Sequence, residues 1–162
     1  MAQESKKPFV IHCDGACRGN PGPAAWGAVI ESPDGSIRET SGVIGQATSQ
    51  VAELTAAIQS LKLTPVGAKV HLISDSQYVV KGLSEWVKGW ERRGWRTASG
   101  SPVANEGLWR KLRDLDRARS VRMSWIKGYA GHPLNERADR LAAAALDGRS
   151  EQLEPLREAQ AA

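Results

Sequence analysis

Four acidic residues stand where the surrounding pattern favours apolar ones. Asp14 interrupts an apolar, β-rich run, Glu53 lies beside the apolar positions of a helical repeat, and Asp75 ends a second apolar run. Asp139 precedes an alanine-rich segment. One such acid alone is usually exposed or paired with a base, whereas clustered carboxylates repel one another unless cations bind. A cluster of carboxylates suits Mg²⁺, and two such ions about 4 Å apart activate water and stabilise the leaving oxygen of a phosphodiester.

Strands are predicted to carry two of these acids. Three β-rich runs joined by short links indicate an antiparallel meander, and two later runs indicate a fourth and a fifth strand. The predicted strands cover residues 9–14, 24–31, 36–43, 70–74 and 121–127. The glycine-rich segment between the first two strands, GACRGNPGP, is predicted to be a tight turn. Because ligands of open α/β sheets collect at strand ends, Asp14 and Asp75 meet if the first and fourth strands are neighbours.

Helices are predicted to carry the other two. Apolar residues recur at helical spacing over 51–61, with Thr48 or Ser49 as the N-cap, and this helix contains Glu53. Further helical segments are predicted over residues 77–93, 108–118 and 135–146. The first and last helices, packed across the strand ends, would add Glu53 and Asp139 to the cluster.

Length and composition indicate one α/β domain with a mixed five-stranded sheet over residues 1–148, followed by a polar tail, 149–162, expected to be flexible. No apolar run approaches the ~20 residues that span a bilayer. The two cysteines are too few for a disulfide framework, so we interpret them as reduced thiols. These features predict a soluble cytoplasmic protein, with a monomer as the default.

Positive charge and aromatic residues share one part of the chain. The net charge is +4 and the pI about 9.3. Four of the six tryptophans lie between Lys81 and Arg122, where basic residues are concentrated. A basic surface with aromatic planes suits a sugar-phosphate backbone, but the same tryptophans could simply pack helices together. Composition alone leaves both interpretations open.

Four segments closely resemble motifs of the bacterial type 1 ribonucleases H, in the same order and at matching spacing. They are DGACRGNPGP (residues 14–23), SDSQYV (74–79), WERRGWRT (90–97) and KGYAGHP followed by NERAD (127–139). The resemblance runs from about residue 9 to residue 146. It implies the strand order 3-2-1-4-5, with strands 1 to 3 antiparallel.

The resemblance also implies an activity and a site. Relatives of this kind hydrolyse the RNA strand of RNA–DNA hybrids, leaving 5′-phosphate and 3′-hydroxyl ends. The implied metal ligands and catalytic acids are Asp14, Glu53, Asp75 and Asp139. The implied cofactor is Mg²⁺, for which Mn²⁺ can substitute, with two ions held when substrate is bound. No obligatory protein partner is implied.

The resemblance extends to substrate contacts. Residues that would line the minor groove, where the 2′-hydroxyl identifies RNA, are Cys17, Asn20, Ser49, Gln50 and Gln77. Thr48 and Asn105 match positions that hold a DNA phosphate. Trp86 and Trp90 match the channel for the DNA backbone, and Arg92 and Arg93 belong to a basic handle region, residues 90–105.

Two departures from the family pattern bear on function. Tyr129 stands where the family usually has a histidine that titrates near neutral pH, so we expect slower turnover with the metal chemistry intact. The handle region contains Glu91 and an uncharged stretch over 97–105, so we expect weaker binding with a shallower salt dependence.

Three alternatives compete with a ribonuclease. Tyr129 favours a hybrid-binding module with little catalysis, although such a module would not need four acids. A different nuclease or a transposase could share the fold and the acids, because fold alone does not fix function. A structural or small-molecule domain would require four accidental motif matches.

Overall fold

A mixed five-stranded sheet forms the centre of the computed structural model, which describes residues 7–128 and 131–148. Its strands are β1 (Phe9–Cys17), β2 (Gly22–Glu31), β3 (Ile37–Ala47), β4 (Lys69–Ser74) and β5 (Ser120–Trp125). The spatial order is β3-β2-β1-β4-β5. The first three strands pair antiparallel, whereas β4 runs parallel to both β1 and β5. The expected fold class and strand order are therefore confirmed.

Helices connect and cover these strands. They are α1 (Ser49–Leu61), α2 (Gln77–Lys81), α3 (Val87–Arg92), α4 (Glu106–Arg117) and α5 (Pro133–Leu146). A π-helical turn, Gly82–Trp86, joins α2 to α3. Of the two predicted N-caps of α1, Thr48 takes the role, because its hydroxyl accepts a hydrogen bond from the Val51 amide at 3.1 Å. Pro133 begins α5, where its missing N–H costs no helical hydrogen bond.

Two glycines let helices lie directly on the sheet. A Cβ at Gly15 of β1 would stand 2.5 Å from the carbonyl carbon of Ala52 in α1. One at Gly27 of β2 would stand 2.6 Å from the carbonyl oxygen of Ala138 in α5. Asp14 pairs with Gly27, and successive strand residues face opposite sides, so α1 and α5 cover opposite faces of the sheet.

Some predicted boundaries differ from the structure. The glycine-rich segment after Asp14 was expected to be a turn, yet β1 continues to Cys17 and pairs with β2 up to Ala24. Gly15 lies within the strand, where the absence of a side chain lets α1 pack against it. The turn is therefore limited to residues 18–21. The fifth strand ends at Trp125 rather than at residue 127. Tyr129 and the tail over 149–162 lie outside the described residues.

Both cysteines are free thiols, as expected, with Cys13 buried and Cys17 partly buried. Among residues 7–128 and 131–148, no helix combines the length and the apolar composition that crossing a membrane requires.

Candidate active site

The four predicted acids line one cavity of about 220 Å³. Asp14 lies in β1, Glu53 in α1 and Asp139 in α5, while Asp75 directly follows β4. The parallel pairing of β1 with β4 aligns His12 with Ile73, so Asp14 and Asp75 leave neighbouring strands at the same level. Four elements that are distant in sequence thus deliver four carboxylates to one place.

Gly15 brings Glu53 to this cavity from the opposite face of the sheet. Any Cβ at Gly15 would stand 2.6 Å from the Glu53 backbone nitrogen. Without a side chain there, the second turn of α1 rests on the strand next to Asp14. Gly15 is therefore needed for close approach of the two elements and also forms part of the cavity wall.

Burial and mutual repulsion raise the pKa values of the cavity carboxyl groups. Burial, followed by the negative charge of Asp75 and a hydrogen bond with Asp139, raises the pKa of Asp14 to about 9. Burial is also the main cause of the raised pKa values of Glu53 and Asp75. The cavity thus disfavours its own full ionisation, and a cation would restore it.

Three uncharged side chains hold two of these acids in place. The Ser76 hydroxyl donates to Glu53 Oε1 at 2.7 Å, which opposes the effect of burial on the Glu53 pKa. Asn135 hydrogen-bonds the Asp75 side chain with the same effect. The Trp125 indole N–H donates to the Asp75 backbone carbonyl at 3.0 Å. Asp75 is therefore fixed through both its side chain and its backbone.

Sequence reasoning did not single out Ser76, Asn135 or Glu136, which also line the cavity or hold its acids. A signal for Asn135 was present, because it lies four residues before Asp139 and so shares its helix face. Asn135 is buried, and its Oδ1 has no hydrogen-bond partner among the described residues. That oxygen is an acceptor awaiting a donor.

The donor set fits a hard divalent cation. All four carboxylates supply oxygen, and the unpartnered Asn135 oxygen shows that polar capacity in the cavity is unused. In the described part of the chain, no three His, Cys, Asp or Glu side chains are arranged to hold a metal ion by themselves. Mg²⁺ does not need such a cage, because it keeps several waters and takes one or two carboxylates plus phosphate oxygens.

The predicted minor-groove residues gather around the start of α1. The Asn20 side chain accepts a hydrogen bond from the Ser49 amide at 3.0 Å, which ties the β1–β2 turn to the helix. The Cys17 thiol donates to the Ala47 carbonyl oxygen at 3.2 Å. Gln50 and Gln77 are exposed at the first turns of α1 and α2. Four of the five side chains therefore lie at or near the start of α1, and Gln77 lies at the start of α2.

The tryptophans divide between packing and exposure. Trp95 and Trp109 are buried in the core, as the packing interpretation expects. Trp90 is partly buried, with its ring centroid 5.3 Å from that of Trp109 and 6.0 Å from that of Trp86. Trp86 is 37% exposed and lies at the surface end of this aromatic cluster. The packing interpretation is thus confirmed for Trp95 and Trp109, whereas the nucleic-acid contact of Trp86 and Trp90 stays a prediction.

The remaining predicted contacts lie at the ends of helices. Arg92 and Arg93 are exposed at the end of α3, and the Arg93 Nε donates to the Arg96 carbonyl oxygen at 3.1 Å. The Asn105 amide donates to the Tyr78 hydroxyl at 3.1 Å. The Thr48 hydroxyl caps α1.

Comparison with known proteins agrees with this geometry. The RNase H family model matches residues 6–147. Ribonuclease HI of Caulobacter vibrioides is 52% identical over 133 residues, which cover 82% of this chain and 88% of the relative.

Two solved structures are also similar. LC9-RNase H1, described as a type 1 RNase H with the type 2 active-site motif, is 28% identical with a TM-score of 0.78, over 87% of this chain and 72% of that one. LC11-RNase H1 in complex with an RNA/DNA hybrid is 28% identical with a TM-score of 0.64, over 86% and 97%. With four carboxylates lining one cavity beside the sheet, this chain belongs to the RNase H family and, within it, to type 1.

Proposed function

We propose that this chain is an endonuclease that hydrolyses the RNA strand of RNA–DNA hybrids and leaves 5′-phosphate and 3′-hydroxyl ends. The convergence of four carboxylates on one cavity beside the start of α1 carries this proposal. The hybrid held by the similar LC11-RNase H1 supports the substrate class. Residues 1–148 would act as one ribonuclease H domain, as a monomer in the cytoplasm.

The RNase H family depends on divalent metal ions. Asp14, Glu53, Asp75 and Asp139 would hold Mg²⁺, or Mn²⁺ in its place, as two ions when substrate is bound. The ions would supply an activated water and stabilisation of the leaving oxygen. The protein's own part is to keep the carboxylates ionised and oriented, through Ser76 on Glu53 and Asn135 on Asp75.

Substrate discrimination would rest on hydroxyls and shape. The side chains near the start of α1 would face the minor groove, where hydrogen bonds to 2′-hydroxyls distinguish RNA from DNA. Thr48 and Asn105 would hold a DNA phosphate, while Trp86, Trp90, Arg92 and Arg93 would follow the DNA backbone. Such contacts read no base edges, so sequence preference should be weak.

Cleavage of an end-labelled RNA–DNA hybrid tests the proposal, with Mg²⁺ and Mn²⁺ assayed separately. Duplex RNA, duplex DNA and the Asp75→Asn variant serve as controls. We expect cuts confined to the RNA strand of the hybrid and lost in the variant. Cleavage of duplex DNA at a similar rate would instead indicate a different nuclease with the same fold.

The alternative function is a hybrid-binding module with weak catalysis, and Tyr129 is its support. Tyrosine has a reference pKa near 10, so it exchanges protons poorly at pH 7, whereas histidine titrates close to neutrality. We expect Tyr129→His to turn over faster than the parent protein. Tight hybrid binding without cleavage under either metal would favour the binding module, and a variant no faster than the parent would remove Tyr129 as the cause.

A further inference from the structure

The hydroxyl of Tyr78 lies where a buried donor and a surface donor meet. It accepts one hydrogen bond from the Trp109 indole N–H at 2.9 Å and another from the Asn105 amide at 3.1 Å. Trp109 is fully buried, and its ring packs edge-on against Tyr78 with centroids 5.2 Å apart. The core therefore fixes the Tyr78 oxygen, and this oxygen in turn fixes Asn105.

Asn105 does not behave like an ordinary helix cap. It precedes α4, where an asparagine side chain normally accepts a hydrogen bond from the first turn and stabilises the helix by about 1 kcal/mol. Here the side chain makes no such bond, and the backbone adopts a left-handed conformation with φ 60° and ψ 32°. The amide is diverted from the helix to Tyr78 instead.

This arrangement leaves hydrogen-bonding capacity on Asn105. Its side chain has two N–H donors, of which one reaches Tyr78. Within residues 7–128 and 131–148, the second N–H has no partner. A donor held in a fixed direction by a buried anchor is suited to an oxygen of a ligand, and a phosphate oxygen is the acceptor that hybrid binding would bring.

We propose that Tyr78 is a positioning residue for the DNA strand, which holds Asn105 so that its remaining N–H meets one DNA phosphate. This inference rests on the proposed function. Tyr78 belongs to α2, whose N-cap Ser76 also bonds Glu53, and Ser76 directly follows Asp75. The short helix α2 thus connects Asn105, through Tyr78, to Glu53 and Asp75 of the cavity. It sets the distance between the DNA phosphate bound by Asn105 and the RNA phosphodiester that is cleaved.

The first test compares two variants that both disturb the buried pair. Tyr78→Phe removes the acceptor for Asn105 and for Trp109. Trp109→Phe removes only the buried donor and keeps the contact between Tyr78 and Asn105. Since one neutral hydrogen bond contributes a net ~0.5–1.5 kcal/mol, we expect Tyr78→Phe to raise KM for the hybrid roughly 3- to 10-fold, with kcat changed less than about twofold.

Trp109→Phe serves as the matched control, because it loses stability without losing the Asn105 contact. Its thermal midpoint should fall at least as far as that of Tyr78→Phe, while its KM stays within about twofold of the parent value. Equal rises in KM for the two variants would overturn the proposal, since both would then reflect general loosening. A fall in kcat with unchanged KM in Tyr78→Phe would overturn it as well.

The second test locates the contact on the substrate. Hybrids carrying a single neutral methylphosphonate linkage, moved along the DNA strand, remove one phosphate charge at a time. For the hybrid in which the contacted phosphate is neutral, Tyr78→Phe and the parent should have about the same KM, because both lack the contact. Asn105→Ala should lose its difference from the parent at the same linkage. A ratio that is unchanged at every linkage would overturn the proposal.

Binding measurements keep this test separate from the proposed function. The same variants and hybrids are compared by dissociation constant in EDTA, where no cleavage is needed. A parent protein that fails to cut any hybrid contradicts the ribonuclease activity. A weaker Kd of Tyr78→Phe, erased at one linkage, would still support the positioning role.

Discussion

The acid cavity and the handle region are built in different ways. The cavity collects Asp14, Glu53, Asp75 and Asp139 from a strand, two helices and a strand end, over more than a hundred residues of sequence. The handle region, residues 90–105, is organised locally, by tryptophans packed on one another and by arginines bonded to nearby carbonyls. The cavity depends on topology, whereas the handle adds contacts between neighbours in sequence to its anchors on Tyr78 and Trp109.

The two regions also differ in how their charges are balanced. Buried carboxylates face one another in the cavity, and burial raises the pKa of three of them. In the handle region Arg92 and Arg93 are exposed, where water stabilises their charge. A bound cation should therefore stabilise the cavity strongly, because it offsets the repulsion between buried carboxylates. A ligand should stabilise the handle less, because its exposed arginines are already solvated. Changes in the cavity should have large effects of mixed sign, and changes in the handle small ones.

Asp14→Asn is expected to show the largest effect. The amide keeps the shape but removes a ligand charge, so several kcal/mol of metal-dependent stabilisation should be lost, and kcat/KM should fall at least about a thousandfold. The metal-free variant should nevertheless be more stable than the parent, because asparagine neither carries a repelling charge nor has to take up a proton when the chain folds at neutral pH. Cleavage assays check the loss of activity, and thermal unfolding in EDTA checks the gain in stability. A variant that is both inactive and less stable would contradict electrostatic strain in the cavity.

The sequence predicted the cavity acids better than their supports. Asp14 and Asp75 were visible because acids are rare at the ends of apolar strands, and family resemblance supplied their adjacency. Ser76 was not visible as a support for Glu53, because its role requires α2 to begin against α1. Contacts between elements distant in sequence depend on packing geometry, which no local pattern encodes.

The glycine-rich segment shows the same limit in the opposite direction. Glycine and proline are typical of turns, so the segment after Asp14 was predicted to be one. The structure extends β1 to Cys17. Gly15 is needed because α1 packs too closely on the strand for a side chain, and the backbone does not bend there. Local composition identified the glycine and gave the wrong reason for it.

The anchor of α5 gives the second prediction. Arg137 donates to Glu39 of β3 through Nε at 2.6 Å and through a terminal nitrogen at 2.8 Å, with side chains 24% and 11% exposed. Breaking a largely buried pair of this kind costs about 2–4 kcal/mol. We expect Arg137→Gln to lower the free energy of unfolding by that amount and to weaken Mg²⁺ binding, because α5 carries Asp139.

Glu106→Gln is the matched control for that variant, because it leaves in place Arg110, whose guanidinium also lies 5.0 Å from the centroid of the Trp95 ring. Arg110 pairs with Glu106 at 2.8 Å, but the two side chains are 53% and 37% exposed. An exposed pair four residues apart in a helix contributes no more than about 0.5 kcal/mol. Urea unfolding and calorimetric Mg²⁺ titration compare the two variants. Similar stability losses in both would mean that burial does not distinguish the α5 anchor from a surface pair.

The pH dependence of metal-free stability is the third prediction. A carboxyl whose pKa is raised in the folded state binds a proton that the unfolded chain releases, so its stabilisation is present at low pH and is lost as pH rises through the folded pKa. For Asp14 this loss extends up to a pKa of about 9. His12 acts oppositely below pH 6.5, because burial lowers its pKa to about 4 and its stabilisation appears as pH rises.

The window from about pH 6.5 to 8 therefore isolates the acids, because the buried Cys13 thiol, whose pKa burial raises, adds a slope of the same sign only at higher pH. There the free energy of unfolding in EDTA should fall with rising pH, by up to about 1.4 kcal/mol per unit for one proton. Asp14→Asn should flatten the slope, and so should saturating Mg²⁺, which replaces the proton. A parent protein whose stability is constant across this window would contradict the raised pKa of Asp14.

The handle region should give the smallest effect. Arg92 is exposed, so replacing it by glutamine removes one counterion-releasing contact and little packing. We expect KM to rise roughly two- to fivefold near physiological salt, and the slope of log affinity against log salt to fall by about one. Lys62→Gln is the control, since this exposed lysine ends α1 at the opposite end from the Thr48 cap. A larger change in slope for Lys62→Gln than for Arg92→Gln would move the DNA path away from the handle and undo the contrast between the two regions.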